Sequence, residues 1–216
     1  YLTTAFGILL LTGAGSCAVL KPGRFFASGS IESTFAANGS LTVRRVVDSS
    51  LLFTGGKVAW RATHVAGLQL TSASLEMQSP SDPVYGLGQH HDPTKREYQL
   101  GPDNGETTIP LMHWPRAGVS LLINVPAGAG KLTTNPGTVS WEADACLQLD
   151  LWIATVSNGT PPEQRWPDLM AKYVAATGQP AAMPDWVTGF IQSKDRYDSQ
   201  GAVENISIGF AQRHTP

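Results

Sequence analysis

The chain is short of charge, nearly without cysteine and without any long apolar run, and each shortage closes off a class of function. Asp, Glu, Lys and Arg make up only 15% of the 216 residues, and the formal charge is -2. With no basic excess to neutralise a row of phosphates, neither nucleic acid nor an anionic membrane surface is expected as a partner. Cys17 and Cys146 are the only cysteines. If Cys17 is removed by processing, Cys146 is left as a lone thiol, read as a small buried hydrophobe rather than a nucleophile. No C-x-x-C, no H-E-x-x-H and no acidic calcium loop occurs, and among His64, His90, His91, His113 and His214 only one pair is adjacent. No metal is therefore expected. Gly86-x-Gly88 has neither a third glycine nor a following helix, so it is not a dinucleotide site, and no cofactor is expected either.

The amino-terminal apolar run, Ala5 to Ala14, is too short to span a bilayer comfortably. Followed by Gly15-Ser-Cys-Ala18, it resembles the apolar region and small-residue cleavage site of a secretory leader, with Ser16 and Ala18 in the small positions. A basic region and an initiating Met are lacking, and the alternative is a buried strand. Three sequons, at Asn38, Asn158 and Asn205, are compatible with a secreted or extracellular location.

What is abundant is apolar residues, 42% of the chain, arranged with period two and broken by Gly and Pro. That is enough for a full core, and the length fits one domain or a domain plus a fragment. No element is evident between Ala18 and Ser30. From Ser40 the strand signals become regular. Residues 41–47 alternate, 48–50 form a turn cluster, 51–54 are a short apolar run, Gly55-Gly56 reads as a turn, and 57–62 and 67–72 continue the rhythm. Val84 to Asp92 is expected to turn tightly on Gly86 and Gly88 and to present Gln89, His90 and His91 beyond the turn. Residues 94–106 are polar and long enough for a functional loop. Strands resume at 107–114, 119–125, 130–134, 138–141 and 147–153. Short strands at this spacing predict a mostly β fold, an antiparallel β-sandwich. Trp60, Trp114, Trp141 and Trp152 are read as core, with sugar stacking as the alternative if they are exposed.

The period changes after Ser157. Pro167 suits the first turn of a helix whose inner side is Leu169, Met170, Tyr173, Val174 and Thr177, with Gly178 as its cap. Residues 179–184 form an extended connector and Trp186 to Gln192 reads as a buried strand. A last helix, capped by Asp198 or Ser199, turns Ala202, Val203, Ile206 and Phe210 inward and ends near Arg213.

Two stretches resemble glycoside hydrolase family 31, the retaining α-glycosidases. Val84-Tyr-Gly-Leu-Gly-Gln-His90 is similar to the family's Y-G-L-G-Q-H signature. Tyr173 to Pro180, Met183-Pro-Asp-Trp186 and Gly189 through Gln200 are similar to its Y-x-x-x-T-G-x-P, M-P-x-W/Y, G-F-W-Q-x-K-x-R-Y and S-Q series. Together with the intervening strands the resemblance covers roughly residues 40 to 216. Departures are Ile191 in place of the usual Trp, Ser193 where the xylosidase-like branch often has Cys, and His91-Asp-Pro-Thr94 in place of a Gly-containing run.

The resemblance implies a galactose-mutarotase-like sandwich at 19–160 behind a leader at 1–18, a linking helix and connector at 161–185, and at 186–216 the first βα unit of a truncated (β/α)8 barrel. It implies hydrolysis of α-glucosides or α-xylosides, with an oligosaccharide or glycoside as the partner. The catalytic carboxylates are expected on later barrel strands, so no residue here is assigned catalysis and the chain alone is expected to be inactive. Asn104 is the position similar to a sandwich loop that leans over the sugar. Gln192, Lys194 and Arg196 would lie at the barrel mouth. A non-catalytic carbohydrate-binding sandwich and an inactive fragment are the alternatives.

Overall fold

The computed structural model describes residues 6–12, 23–27, 31–36, 40–65, 68–101, 106–124, 129–145, 148–157 and 159–214. The chain divides into two compact units, Tyr1–Thr177 and Gly178–Pro216.

The first unit is two packed antiparallel sheets. The smaller has the order β1 (Phe6–Thr12), β13 (Gln148–Thr155), β10 (Val119–Ile123), β9 (Thr107–Trp114), β7 (Tyr85–Gln89). The larger runs β2 (Gly23–Ala27), β3 (Ile31–Phe35), β4 (Ser40–Arg45), β5 (Leu51–Val65), β6 (Leu68–Gln78), β12 (Thr138–Ala143), β11 (Gly130–Asn135), β8 (Glu97–Leu100). Period-two patterning selects the inner faces. Leu149, Leu151 and Ile153 of β13 enter the central core with Val119, Leu121 and Ile123 of β10 and with Val43, Phe53, Leu75, Leu132 and Trp141 of the larger sheet. Each such fully buried side chain contributes roughly 1.5–3 kcal/mol of transfer free energy. Phe53 and Trp114 meet edge to face across the two sheets, ring centres 5.6 Å apart. Trp114, Trp141 and Trp152 are buried and Trp60 is half-buried against the core, so none of the four is a free stacking surface.

Several expectations change. Gly55-Gly56 does not end a strand: β5 runs through it, with a register shift against β6 between Thr54 and Lys57. Gly55 takes φ +66, which absorbs the extra residue as a bulge, and a Cβ on Gly56 would lie 2.9 Å from Leu41 Cβ. The polar segment 94–106 is interrupted by β8, because Tyr98 supplies one buried anchor and β11 offers a free edge. β2 forms where no element was evident and pairs with β3, extending the larger sheet beyond β4. Phe6–Thr12 pairs with β13 from Phe6 opposite Ala154 to Thr12 opposite Gln148, the conformation of the strand alternative.

The smaller sheet is covered on its other face as well. Leu111, Trp152 and Ala154 point outward and pack with Leu122 and with Tyr173 of helix α1 (Arg165–Thr177). Alternation therefore failed to single out a solvent face on β13: Trp152 sits at what reads as an outward position because a helix lies over it.

The second unit is smaller. It holds a single 3-10 turn at Asp185–Thr188 and helix α2 (Gln200–Gln212). Ser199 caps α2 by accepting from the Ala202 N–H at 3.2 Å. The strand expected over Trp186–Gln192 is absent. A parallel barrel strand is held by hydrogen bonds to neighbours on both sides, and no described strand pairs with this segment. Its backbone closes locally instead, with the Gly189 N–H donating to Trp186 O at 3.1 Å and the Thr188 hydroxyl to Asp185 O at 2.7 Å.

Candidate functional site

The signature segment is strand β7, and its glycines are required. Gly86, Leu87 and Gly88 have φ of 100°, 69° and 96° in succession, and the register against β9 shifts between Gly86 and Gly88. A Cβ on Gly86 would strike Leu111 O, and one on Gly88 would strike Thr107 O. Leu87 accepts the left-handed strain because its side chain is thereby delivered to the core, 4% exposed. The kink also folds His90 inward rather than presenting it, which corrects the expectation for that residue. His90 Nε2 lies 2.8 Å from Leu87 O, and since a carbonyl only accepts, that nitrogen carries a hydrogen.

Around His90 a polar cluster closes. Its ring stands 4.8 Å from that of Tyr98, whose hydroxyl donates to Lys95 O at 2.7 Å. Its Nδ1 lies 3.4 Å from Glu106 Oε2. Lys95 Nζ donates to the same carboxylate oxygen, and the His91 N–H donates to Glu106 Oε1 at 3.1 Å. The Lys95 hydrogen bond and then the His91 N–H hold the Glu106 carboxyl down to about 2. A carboxylate so occupied stays ionised at neutral pH and is suited to holding chain in place. It joins residues 90–95 to the residue just before strand β9. Asp92 is also held low, by the Thr94 hydroxyl and N–H at 2.7 and 2.8 Å. Sequence reasoning missed Glu106 and Lys95, because partners 11 to 16 residues apart show no spacing signal. The only hint was a lone carboxylate at the exit of a polar loop.

Of the residues singled out in advance, Asn104 lies outside the described residues. Gln192, Lys194 and Arg196 occupy the irregular chain between the turn at 185–188 and α2, in the second unit. Gln192 Nε2 donates to Ser193 O at 3.1 Å, Lys194 Nζ stands 6.0 Å from the centre of the Tyr197 ring, and Arg196 Nε lies 3.5 Å from Asp195 Oδ2. All three are exposed, and no hydrogen bond links one to another. Their heads are free to meet a ligand, but they do not converge on one.

The linking helix docks through a buried cation. Lys172 donates from Nζ to Thr155 O at 2.6 Å, to Ser157 Oγ at 3.1 Å and to Asp168 Oδ2 at 2.7 Å. Burial works against the Asp168 charge, but Lys172 and the Ser157 N–H together outweigh it and leave the carboxyl below its usual range. Trp166, one turn earlier, lies 5.0 Å from the ring of His113 and 5.7 Å from that of Tyr85. His113 is buried with Nδ1 2.6 Å from Ser120 Oγ, and burial lowers its pKa. Among the described residues no group of three or more His, Cys, Asp or Glu side chains converges as metal ligands would, and no helix is long and apolar enough to cross a membrane.

No family profile matches the chain. It is 26% identical over 137 residues to an uncharacterized family 31 glucosidase of Pseudescherichia vulneris, a match covering 62% of this chain and 24% of that protein. It is 28% identical over 141 residues to alpha-xylosidase A of Aspergillus niger, covering 64% of this chain and 18% of that one. The chain thus spans a quarter or less of the curated relatives it matches. Among solved structures it resembles a xylosidase from Aspergillus niger, with TM-score 0.65 and 22% identity over 89% of this chain and 28% of that one. It also resembles a GH31 alpha-xylosidase from a soil metagenome, complexed with xylose, with TM-score 0.63 and 22% identity over 94% and 34% of the two chains. The structural likenesses establish the fold, a mostly antiparallel β architecture matching part of these proteins. With the sequence relatives they show the resemblance to glycoside hydrolase family 31 that the motifs carried.

Proposed function

From that resemblance we propose that this chain is the amino-terminal part of a retaining α-glycosidase that hydrolyses α-xylosides or α-glucosides. The observation that carries the reading is the ordered series from Tyr173 to Gln200 standing directly after a sandwich whose kinked β7 bears the Tyr85-Gly-Leu-Gly-Gln signature. The names of the relatives favour a xyloside.

Retention requires two carboxyl groups about 5–5.5 Å apart, one a nucleophile and the other a general acid that then serves as base. Among the described residues the carboxylates weighed for that pair do not answer to it: Glu106 is engaged by several donors, and Asp195 and Asp198 are exposed. The carboxylates are therefore assigned to strands beyond residue 216, and the chain alone to an inactive portion. In this reading residues 186–216 are the first βα unit of the barrel, becoming a strand and helix once later strands supply hydrogen-bond partners. Gln192, Lys194 and Arg196 then bind sugar hydroxyls at the barrel mouth, and Asn104 leans in from the sandwich loop. The exposed apolar side chains Trp186, Phe190 and Ile191 support this, since a barrel strand is apolar on both faces. Secretion belongs to the same proposal, supported by the leader-like run and the sequons, and amino-terminal sequencing of the exported protein decides between leader and strand.

The test is turnover of aryl α-xyloside and aryl α-glucoside by the 216-residue chain and by a longer protein that includes the downstream region. Activity in the longer protein alone, with the anomeric configuration retained, is the expected result. Equal turnover by the short chain would remove the proposed division of labour, and inactivity of both would remove the glycosidase reading.

A further inference from the structure

A cleft in the first unit takes no part in the reading above. Pro83, Tyr85, Pro115, Arg116 and Trp166 line it, and its volume is about 340 Å³. Tyr85 lies opposite His113 in the pairing of β7 with β9, on the face over which Trp166 of α1 is laid. Two of its aromatic side chains remain in solvent, Tyr85 at 53% and Trp166 at 39% exposure. They are nonetheless fixed: Trp166 meets Tyr85 edge to face and the buried His113 at a tilt, and His113 is itself pinned by Ser120.

The rim is as informative as the wall. Arg116 is exposed, and its guanidinium makes no hydrogen bond or ion pair with any described residue. Its backbone is anchored, because Arg165 Nη1 donates to Arg116 O at 2.5 Å. None of the lining residues carries a carboxylate. A rigid aromatic wall beside one unpaired, planar cation asks for a ligand with an apolar face and an acidic edge.

We propose that this cleft binds an acidic saccharide. The C–H face of a pyranose stacks on one of the two nearly perpendicular rings, Trp166 or Tyr85, whose face carries the negative side of the aromatic quadrupole, while the other forms the side wall. A uronic carboxylate takes the Arg116 fork, which matches it in two parallel hydrogen bonds. The volume sits at the small end of ligand sites, enough for one or two sugar rings. A proline-rich peptide, the other occupant of aromatic grooves, needs a run of pockets along an extended segment, and a single pocket serves it poorly. The choice of a sugar rests on the glycosidase reading; the charge of the ligand does not.

The test is a titration of the 216-residue chain with glucuronic acid and, separately, with xylose, following the indole N–H resonance of Trp166 by NMR. Loss of that signal in Trp166→Phe assigns it. The expected result is a saturable shift with glucuronic acid, stronger than with xylose, that weakens as salt is raised. In Arg116→Gln, a change at an exposed side chain, affinity falls about tenfold, the scale of one hydrogen bond between charged groups. Equal responses to the two sugars, an unchanged response in Arg116→Gln, no shift with either sugar, or a shift only with a proline-rich peptide would each overturn the proposal. Because no turnover is measured, its failure is separable from failure of the glycosidase reading, which the activity of the longer protein decides.

Discussion

Glu106 shows how a single side chain can organise a site without doing chemistry in it. Its two oxygens receive Lys95 and the His91 N–H, with His90 alongside, and the carboxyl is held at about 2 against an ordinary value of 4.5. A folded-state pKa below the unfolded one means that the unfolded chain binds the proton first. The stabilisation is therefore fully present above about pH 5 and is lost as pH falls from there toward 2. Asp48, also held at about 2 by Ser50 and then Arg45, loses its contribution in the same range, so overall acid sensitivity does not isolate Glu106. The comparison with Glu106→Gln does. Wild type is expected to exceed the variant in urea midpoint at neutral pH, and the gap is expected to close near pH 2. A gap independent of pH would mean that the side chain acts by packing and not by charge. Asn104 was singled out in the sequence through its likeness to a family loop, whereas Glu106, two residues on, was not: its importance comes from donors at 91 and 95 that only the fold brings near.

At the scale of elements, the sequence foretold the helices best and the strand interruptions worst. Helical spacing placed Leu169 on the buried side of α1 with Met170, Tyr173 and Val174 half-buried beside it, though Thr177 is exposed. Of the two caps expected for α2, Asp198 and Ser199, it is Ser199 that caps. The expected inner face of α2 is not buried, Ala202, Ile206 and Phe210 being half-buried and Val203 exposed. Helical spacing left out Lys172, which is 5% exposed with its head on the Thr155 carbonyl at the end of β13. A glycine pair was read as a turn because turns are where such pairs commonly fall, yet Gly55 serves a bulge inside a strand of 15 residues. The Lys172 latch fixes where the linking helix leaves the sandwich, and its removal is predictable. Lys172→Met keeps the apolar stem but strands the Thr155 carbonyl, while Asp168, about a quarter exposed, regains water. The loss is expected to be about 2 kcal/mol, the cost of one buried unsatisfied acceptor plus a discounted ion pair. Chemical denaturation measures it, and a loss below about 0.5 kcal/mol, the range of a surface substitution, would show that α1 is held by Leu169 and Tyr173 alone.

Across the whole molecule, the two units differ in the source of their stability. The first has a continuous core from Ile31 to Ile153 with both faces of its smaller sheet covered. In the second no described residue is buried, and Met183, Trp186, Phe190, Ile191, Val203 and Ile208 are all more than half exposed. The described interactions within it are few and mostly local, such as the Ser199 cap and the Gln200–Glu204 hydrogen bond at 2.6 Å, with the Phe190–Phe210 ring contact at 4.9 Å joining residues farther apart. Helices of this length are marginal on local terms alone. The strand expected at Trp186–Gln192 is absent for the same reason: pairing, not propensity, makes a ladder, and no described strand pairs with this segment. Limited proteolysis then has a definite expected pattern. Cleavage should begin in the exposed connector after Gly178 and proceed through 183–216, leaving a resistant product that ends near Thr177, since a protease samples the locally open states that a segment without buried contacts populates most. In a longer protein with the downstream region the same bonds should resist, if the exposed apolar face of 183–208 is covered there. Equal resistance of the connector and the sandwich strands in the 216-residue chain would mean that the second unit draws stability from contacts other than these local ones.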